Sequence, residues 1–151
     1  MIISMGHTYH QNYAHLIFHV DSVNIHADDL ERLHSYLCGI LISRGVKHIT
    51  IGGIEDHVHI LGDFPLTSAT ADIVRAVKAA SSYWVKGIHS RYQTFAWQAG
   101  YAYFSVSASL YSRVADYIAN QAEHHAHMTA EEEYNRMVRK CSPIPLPPDE
   151  F

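Results

Sequence analysis

Short runs of apolar residues that alternate with polar ones predict four β-strands along the chain. The pair Gly52-Gly53 is expected to end the second strand, so that a tight connection leads into the third. The predicted strands are Ala14 to Val20, Val46 to Ile51, Asp56 to Leu61 and Tyr101 to Val106.

Apolar residues at helical intervals predict helices between and after these strands. The first begins at Asp28, whose spacing to Glu31 is that of a capping box, and it ends near Gly45. The second has Ile73, Val77, Ala80, Trp84 and Ile88 on one side, and the third carries Leu110, Val114 and Ile118 inward. The second helix is expected from Ser68 to about His89, and the third after a cap at Ser107 or Ser109. A last short helix is expected to begin at Thr129, with Glu132 at capping-box spacing.

In chain order the predicted elements are strand, helix, strand, strand, helix, strand and a C-terminal helix. This is the order of a ferredoxin-like βαββαβ domain, an α/β (α+β) fold with an antiparallel sheet and both helices on one face. The prolines of residues 142–151 predict an extended or disordered tail, which leaves a single domain over residues 1–141.

The composition agrees with one domain and limits the class of protein. The chain has 151 residues, of which 48% are apolar and 17% charged, enough for a core but too few for two ordinary domains. Cys38 and Cys141 are too few for a disulfide framework, and no secretory signal opens the chain, so we expect a cytoplasmic protein. Charged or histidine residues interrupt every apolar stretch, which excludes a membrane span.

The formal net charge of −4 at pH 7 hides an uneven distribution of charged residues. No Asp or Glu occurs from residue 73 to 115, where basic residues are interleaved with aromatic ones. Such a surface can hold single-stranded nucleic acid through cations on its backbone and stacked bases; the alternative is a solvated helix face above core aromatics. The basic residues are Arg75, Lys78, Lys86, Arg91 and Arg113.

The segment His57-Val58-His59 is a candidate metal site. Side chains at positions i and i+2 of a strand point to the same face, so both imidazoles can converge on one ion while Val58 packs on the other side. The alternative is a pair of surface histidines, in a chain that has 13 of them. His124, His125 and His127 either join such a site or are exposed at a helix end, where they favour the carbonyl dipoles.

A second candidate lies on the predicted third helix, where Arg113, Tyr117 and Gln121 follow at four-residue intervals and share one face. A tyrosine can attack phosphorus when a cation reduces the charge on the phosphate, and a glutamine one turn away can supply an oxygen ligand to that cation. The alternative is a partly exposed tyrosine beside a hydrogen-bonded glutamine.

Three segments, DHVHIL, FAWQAGYAYFSVS and YIANQAEHH, occur in this order and together closely resemble the small single-tyrosine HUH transposases. HUH stands for histidine, hydrophobic residue, histidine. This family includes insertion-sequence transposases and their REP-associated relatives. The resemblance extends from about Ala14 to Lys140.

The resemblance implies a site and a reaction. His57 and His59 are expected to bind Mg²⁺ or Mn²⁺, with Gln121 as third ligand and Tyr117 as the nucleophile. Two imidazoles suit Mn²⁺ better, whereas cellular abundance favours Mg²⁺. The implied reaction is cleavage and rejoining of single-stranded DNA hairpins through a 5′-phosphotyrosine, without a nucleotide cofactor.

The resemblance also implies a homodimer in which the tyrosine helix of one subunit completes the site of the other. Two other functions stay open. One is a repurposed hairpin-binding protein without strand transfer, and the other is a metal-dependent phosphodiesterase that uses water while Tyr117 only packs.

Overall fold

A computed structural model describes residues 8–121 and 128–141 of the chain. The proline-rich tail expected at residues 142–151 and the histidines His124, His125 and His127 lie outside the described residues. The strands are β1 (Tyr13–His19), β2 (Lys47–Ile54), β3 (His57–Asp63) and β4 (Ala102–Ser105). The helices are α1 (Leu30–Ser43), α2 (Thr70–Ile88), α3 (Tyr111–Ala119) and α4 (Ala130–Cys141).

The sheet has the strand order β2-β3-β1-β4, and every neighbouring pair is antiparallel. This is the order of a ferredoxin-like domain, so the predicted fold class is confirmed. None of the helices in the described part of the chain is long and apolar enough to cross a membrane.

One face of the sheet, covered by α1 and α2, forms the hydrophobic core. Alternation along β1 and β3 directs Leu16, Phe18, Val58 and Ile60 to this face. The helices contribute Leu33, Leu37 and Leu41 from α1 and Ile73, Val77 and Val85 from α2. The same alternation sends His15, His57 and His59 to the opposite face, where they are also buried.

Helix α3 covers β2 and β3 on this opposite face, and its approach depends on Gly52. A Cβ atom at Gly52 would overlap the carbonyl oxygen and side chain of Ile118. The prediction that Gly52-Gly53 ends the second strand is therefore wrong, since β2 continues through both glycines to Ile54. The glycines are needed for close packing rather than for a break.

The predicted helix ends are partly correct. Gly45, with φ of 88°, follows α1 as expected. Thr129 Oγ1 accepts a hydrogen bond from the Glu132 amide, and Glu132 Oε2 accepts one from the Thr129 amide, which confirms the capping box before α4. The predicted cap at Asp28 is wrong, because a 3₁₀ turn precedes α1 and the side chain of His26 accepts from the Asp28 amide.

Two details of the next helices also differ from expectation. The buried side of α2 includes Val74, Ser81 and Val85, while Trp84 and Ile88 lie at the margin of the core. A 3₁₀ turn, Ala108–Leu110, leads into α3, and the hydroxyl groups of Ser107 and Ser109 bond to each other instead of capping it. Leu110 is exposed rather than inward-facing.

Candidate metal and tyrosine site

Strand β3 places His57 and His59 side by side on the face that α3 covers, with 2% and 0% of their surfaces exposed. Each ring is held from behind through Nδ1. His57 Nδ1 lies 2.7 Å from Asp56 Oδ1, and His59 Nδ1 lies 2.7 Å from His15 Nε2. The two Nε2 atoms therefore face a common space.

Glu133, in the first turn of α4, enters this space. Its Oε1 lies 2.8 Å from His59 Nε2 and 3.4 Å from His57 Nε2. One ligand atom from each of His57, His59 and Glu133 lies within 4.8 Å of the others, so these three residues can hold a divalent metal ion. Two imidazoles and a carboxylate, all buried, form a donor set that suits such an ion.

Sequence reasoning missed Glu133, since the sequence shows it only as one of three consecutive glutamates. The sole local signal is its spacing to Met137, one turn later, which puts Glu133 on the less polar side of the helix.

Gln121 and Tyr117 reach the same space from α3 and its C-terminal end. Gln121 Oε1 lies 3.2 Å from His57 Nε2, and Gln121 is 1% exposed. The Tyr117 hydroxyl donates a hydrogen bond of 2.5 Å to Glu133 Oε2. The Tyr117 ring centroid is 5.9 Å from that of His59. One chain thus brings together all four residues predicted for the metal and the nucleophile.

Burial and hydrogen bonding give these groups unusual protonation. Burial raises the pKa of Tyr117 well above its ordinary value, and the bond to Glu133 raises it further. Burial alone would raise the pKa of Glu133, but hydrogen bonds with His57, His59 and Tyr117 outweigh it and hold that pKa far below its usual range. The carboxylate is therefore ionised and the phenol neutral at pH 7.

The pKa values of His57 and of His15, which contacts His59 from behind, shift in opposite directions. Burial would lower the pKa of His57, but hydrogen bonds with Asp56, Glu133 and Gln121 outweigh burial and raise it to about 9. Burial, together with the nearby His59, lowers the pKa of His15 to about 3. A protonated His57 balances the charge of Glu133, and an ion held by His57 would displace that proton.

The basic residues predicted to bind DNA are not gathered at this site. Arg75, Lys86 and Arg91 are exposed on and just after α2, in the helix layer on the other side of the sheet. Lys78 Nζ donates to the carbonyl oxygens of Gln98 and Gly100, at 2.8 and 2.5 Å, and so holds that loop. Arg113 is exposed on α3, one turn before Tyr117.

A cleft of about 520 Å³ opens beside the histidine pair. His19, whose ring stacks on that of His57 at 5.4 Å, forms one wall with Asp56. Tyr134 of α4 and Gln98 and Tyr101 of the loop before β4 form the others. Aromatic and amide side chains in such a cleft can stack on and hydrogen-bond to nucleobases.

The fold and site together define a class of protein, namely a ferredoxin-like domain in which a tyrosine on a helix faces a buried histidine pair. Comparison with known proteins then gives the family. The model of IS200-like transposases matches residues 8–121, and the chain belongs to this family. Membership confirms the resemblance drawn from the motifs and indicates an enzyme that cleaves DNA.

Nine solved chains match this fold. A protein of Deinococcus radiodurans assigned as a transposase superposes with a TM-score of 0.59 at 22% identity, over 80% of this chain and 98% of that one. A REP-associated tyrosine transposase, solved bound to a REP hairpin, gives a TM-score of 0.58 at 13% identity, over 99% of this chain and 94% of that one. No curated protein matches the chain.

Proposed function

We propose that this transposase binds single-stranded DNA hairpins and cuts and rejoins strands by attack of Tyr117 on a phosphodiester. The observation that carries the proposal is the meeting of the Tyr117 hydroxyl, the Glu133 carboxylate and the His57–His59 pair in one buried group. Family membership supports DNA as the substrate class. The hairpin bound to the REP-associated neighbour supports a folded single strand as the ligand.

His57, His59 and Glu133, with Gln121 beside them, would hold the divalent ion, either Mg²⁺ or Mn²⁺. Two imidazole nitrogens in the set favour Mn²⁺ over the harder Mg²⁺. When bound, the ion supplies Lewis-acid polarisation of the scissile phosphate and stabilises the charge on the departing 3′ oxygen.

Tyr117 and Glu133 carry the proton transfer of the attack. The phenol is neutral, so its proton must leave as the bond from Tyr117 Oη to phosphorus forms. Glu133 Oε2 already accepts that proton in a hydrogen bond and is positioned to take it. The bond from phosphorus to the 3′ oxygen breaks, and the leaving oxygen takes a proton from the Glu133 carboxyl group, directly or through water. The products are a 5′-phosphotyrosine and a 3′ hydroxyl, with Glu133 ionised again. Attack by another 3′ hydroxyl reverses the step and rejoins strands.

The DNA contacts divide between the two sides of the sheet. Arg113, one turn before Tyr117 on the same helix, is proposed to contact the phosphate backbone near the scissile bond. Arg75, Lys86 and Arg91 form a more distant surface, proposed to contact the hairpin stem. The ammonium of Lys78 holds the loop of Gln98 and Gly100 and takes no part in this proposal.

The site is complete within one chain, so we infer that Tyr117 acts beside the histidines of its own subunit. A homodimer in which the tyrosine helices are exchanged between subunits is the alternative, and it was the arrangement expected from the sequence.

The test is a denaturing gel that detects a covalent protein–DNA adduct. Single strands from both flanks of the gene are incubated with the protein and Mg²⁺ or Mn²⁺, and with a chelator as control. We expect a metal-dependent adduct that Tyr117→Phe abolishes, with hairpin binding retained. Tyr111→Phe is the matched control, because Tyr111 lies on the same helix but donates to the His48 carbonyl.

Two outcomes of this experiment would favour other functions. Hairpin binding without any adduct would support the repurposed binding protein. Cut strands that carry no protein, formed equally by Tyr117→Phe, would support a phosphodiesterase that uses water.

A further inference from the structure

His15 is a buried histidine that the proposed reaction does not use. It lies in the middle of β1, is 4% exposed and faces the side of the sheet that carries His57 and His59. The strand register pairs His15 with Leu61, so His59 is its diagonal neighbour on β3. The two rings are 4.9 Å apart and tilted by 34°. His15 Nε2 meets His59 Nδ1 at 2.7 Å.

The chemistry of a metal-bound imidazole explains what the contact between His15 and His59 can do. A histidine that binds an ion through Nε2 carries its proton on Nδ1, and that N–H needs an acceptor that also fixes the ring. For His57 the acceptor is the Asp56 carboxylate. For His59 the atom in the corresponding position is His15 Nε2.

The bond holds the ring of His59 from the side opposite the candidate metal site. His59 Nε2 lies 2.8 Å from Glu133 Oε1, on the inner side of the ring, while His15 Nε2 contacts Nδ1 on the outer side. An imidazole nitrogen that carries no proton can accept the N–H of His59 Nδ1, as the Asp56 carboxylate can accept that of His57.

We propose that His15 is a positioning residue that accepts a hydrogen bond from His59 Nδ1 and so holds the ring of His59 with Nε2 directed at the metal site. The inference rests on the proposed function to the extent that it requires His59 to be a metal ligand. It assigns to β1 a part in the metal site, beside the ligands from β3, α3 and α4.

The test measures Mn²⁺ affinity by calorimetry, without DNA or turnover. In His15→Leu no polar group faces His59, and we expect the affinity to fall about 10- to 100-fold, as it does when other outer partners of metal ligands are lost. In His15→Gln the side-chain amide reaches the place of Nε2 and can donate or accept, so we expect an affinity within about threefold of the unaltered protein. His15→Asn is too short to reach His59 and should behave like His15→Leu.

Three features make the outcome decisive. His34→Leu is the matched control, since His34 is a partly buried histidine of α1 outside the site and its loss should leave the affinity unchanged. If His15→Leu does not fold, the contrast between His15→Gln and His15→Asn carries the test. Equal affinity in all variants would overturn the role of His15 while the metal site stands. Absence of Mn²⁺ binding in the unaltered protein would overturn the metal site itself, and this inference with it.

Discussion

At the scale of single residues, Glu133 connects the two halves of the candidate site. One carboxylate oxygen faces the histidine pair and the other accepts a hydrogen bond from the Tyr117 hydroxyl. A buried carboxylate in this position can serve as a ligand and as a proton acceptor, and both roles need its negative charge. The proposed metal site and the proposed nucleophile are therefore linked through one side chain.

Glu133→Gln tests this coupling, because it keeps the shape of the side chain and removes its charge. We expect Mn²⁺ affinity to fall at least about tenfold and adduct formation to fall with it. Glu132→Gln is the control, because Glu132 is exposed in the same turn of α4 and glutamine keeps its capping-box bond to the Thr129 amide, so both should stay unchanged. Faster adduct formation by Glu133→Gln would contradict the assigned role, since Glu133 would then be a group that blocks Tyr117.

Sequence patterns predicted the site residues that are close to one another in the sequence. They missed the site residues that are distant in sequence and contact the site only in the fold. The spacings of His57 to His59 and of Tyr117 to Gln121 are local, so strand and helix periodicity reveals them. His15 on β1 and Glu133 on α4 join the site only through the strand register and the docking of a helix. Both are contacts between distant residues of the chain, and no local period encodes them.

At the scale of elements, the packing of α3 on β2 decides where Tyr117 lies. Gly52 leaves room for the backbone of Ile118, the residue that follows Tyr117. Periodicity along the chain carries no information on contacts between elements, so the sequence predicted that the second strand ends at Gly52-Gly53. The order of strands and helices was predictable, since it follows from alternation and helical spacing alone.

Gly52→Ala should therefore separate the tyrosine from the histidine pair. The added methyl group would overlap Ile118, so we expect a loss of stability on the order of 2 kcal/mol in urea unfolding, together with reduced adduct formation. Gly39→Ala is the control, because a Cβ there meets nothing and alanine favours a helix interior by up to about 1 kcal/mol. Undiminished activity in Gly52→Ala would show that the position of α3 does not depend on this contact.

At the scale of the whole molecule, the site and the more distant basic residues occupy different sides of one sheet. The histidines lie under α3 and α4, whereas Arg75 and Lys86 project from α2. A hairpin held by both would have to pass around the edge of the sheet. With a net charge of −4, an attraction to DNA would have to be local, so the proposed contacts rely on these few cations.

The completeness of the site in one chain leads to a prediction about mixed subunits. A Tyr117→Phe chain lacks the proposed nucleophile, and a His57→Ala chain lacks a proposed metal ligand. If each subunit uses its own tyrosine, a mixture of the two should form no more adduct than either variant alone. Restored adduct formation in confirmed heterodimers would contradict this and support exchange of the tyrosine helix.

The proposed function depends above all on the covalent attachment of Tyr117 to DNA. The most direct measurement is mass spectrometry of the protein after reaction with single-stranded hairpin DNA and Mn²⁺, followed by digestion of the DNA and of the protein. We expect a nucleotide attached through its 5′ phosphate to the peptide that contains Tyr117. A nucleotide on any other residue, or cleaved DNA without a modified peptide, would contradict it.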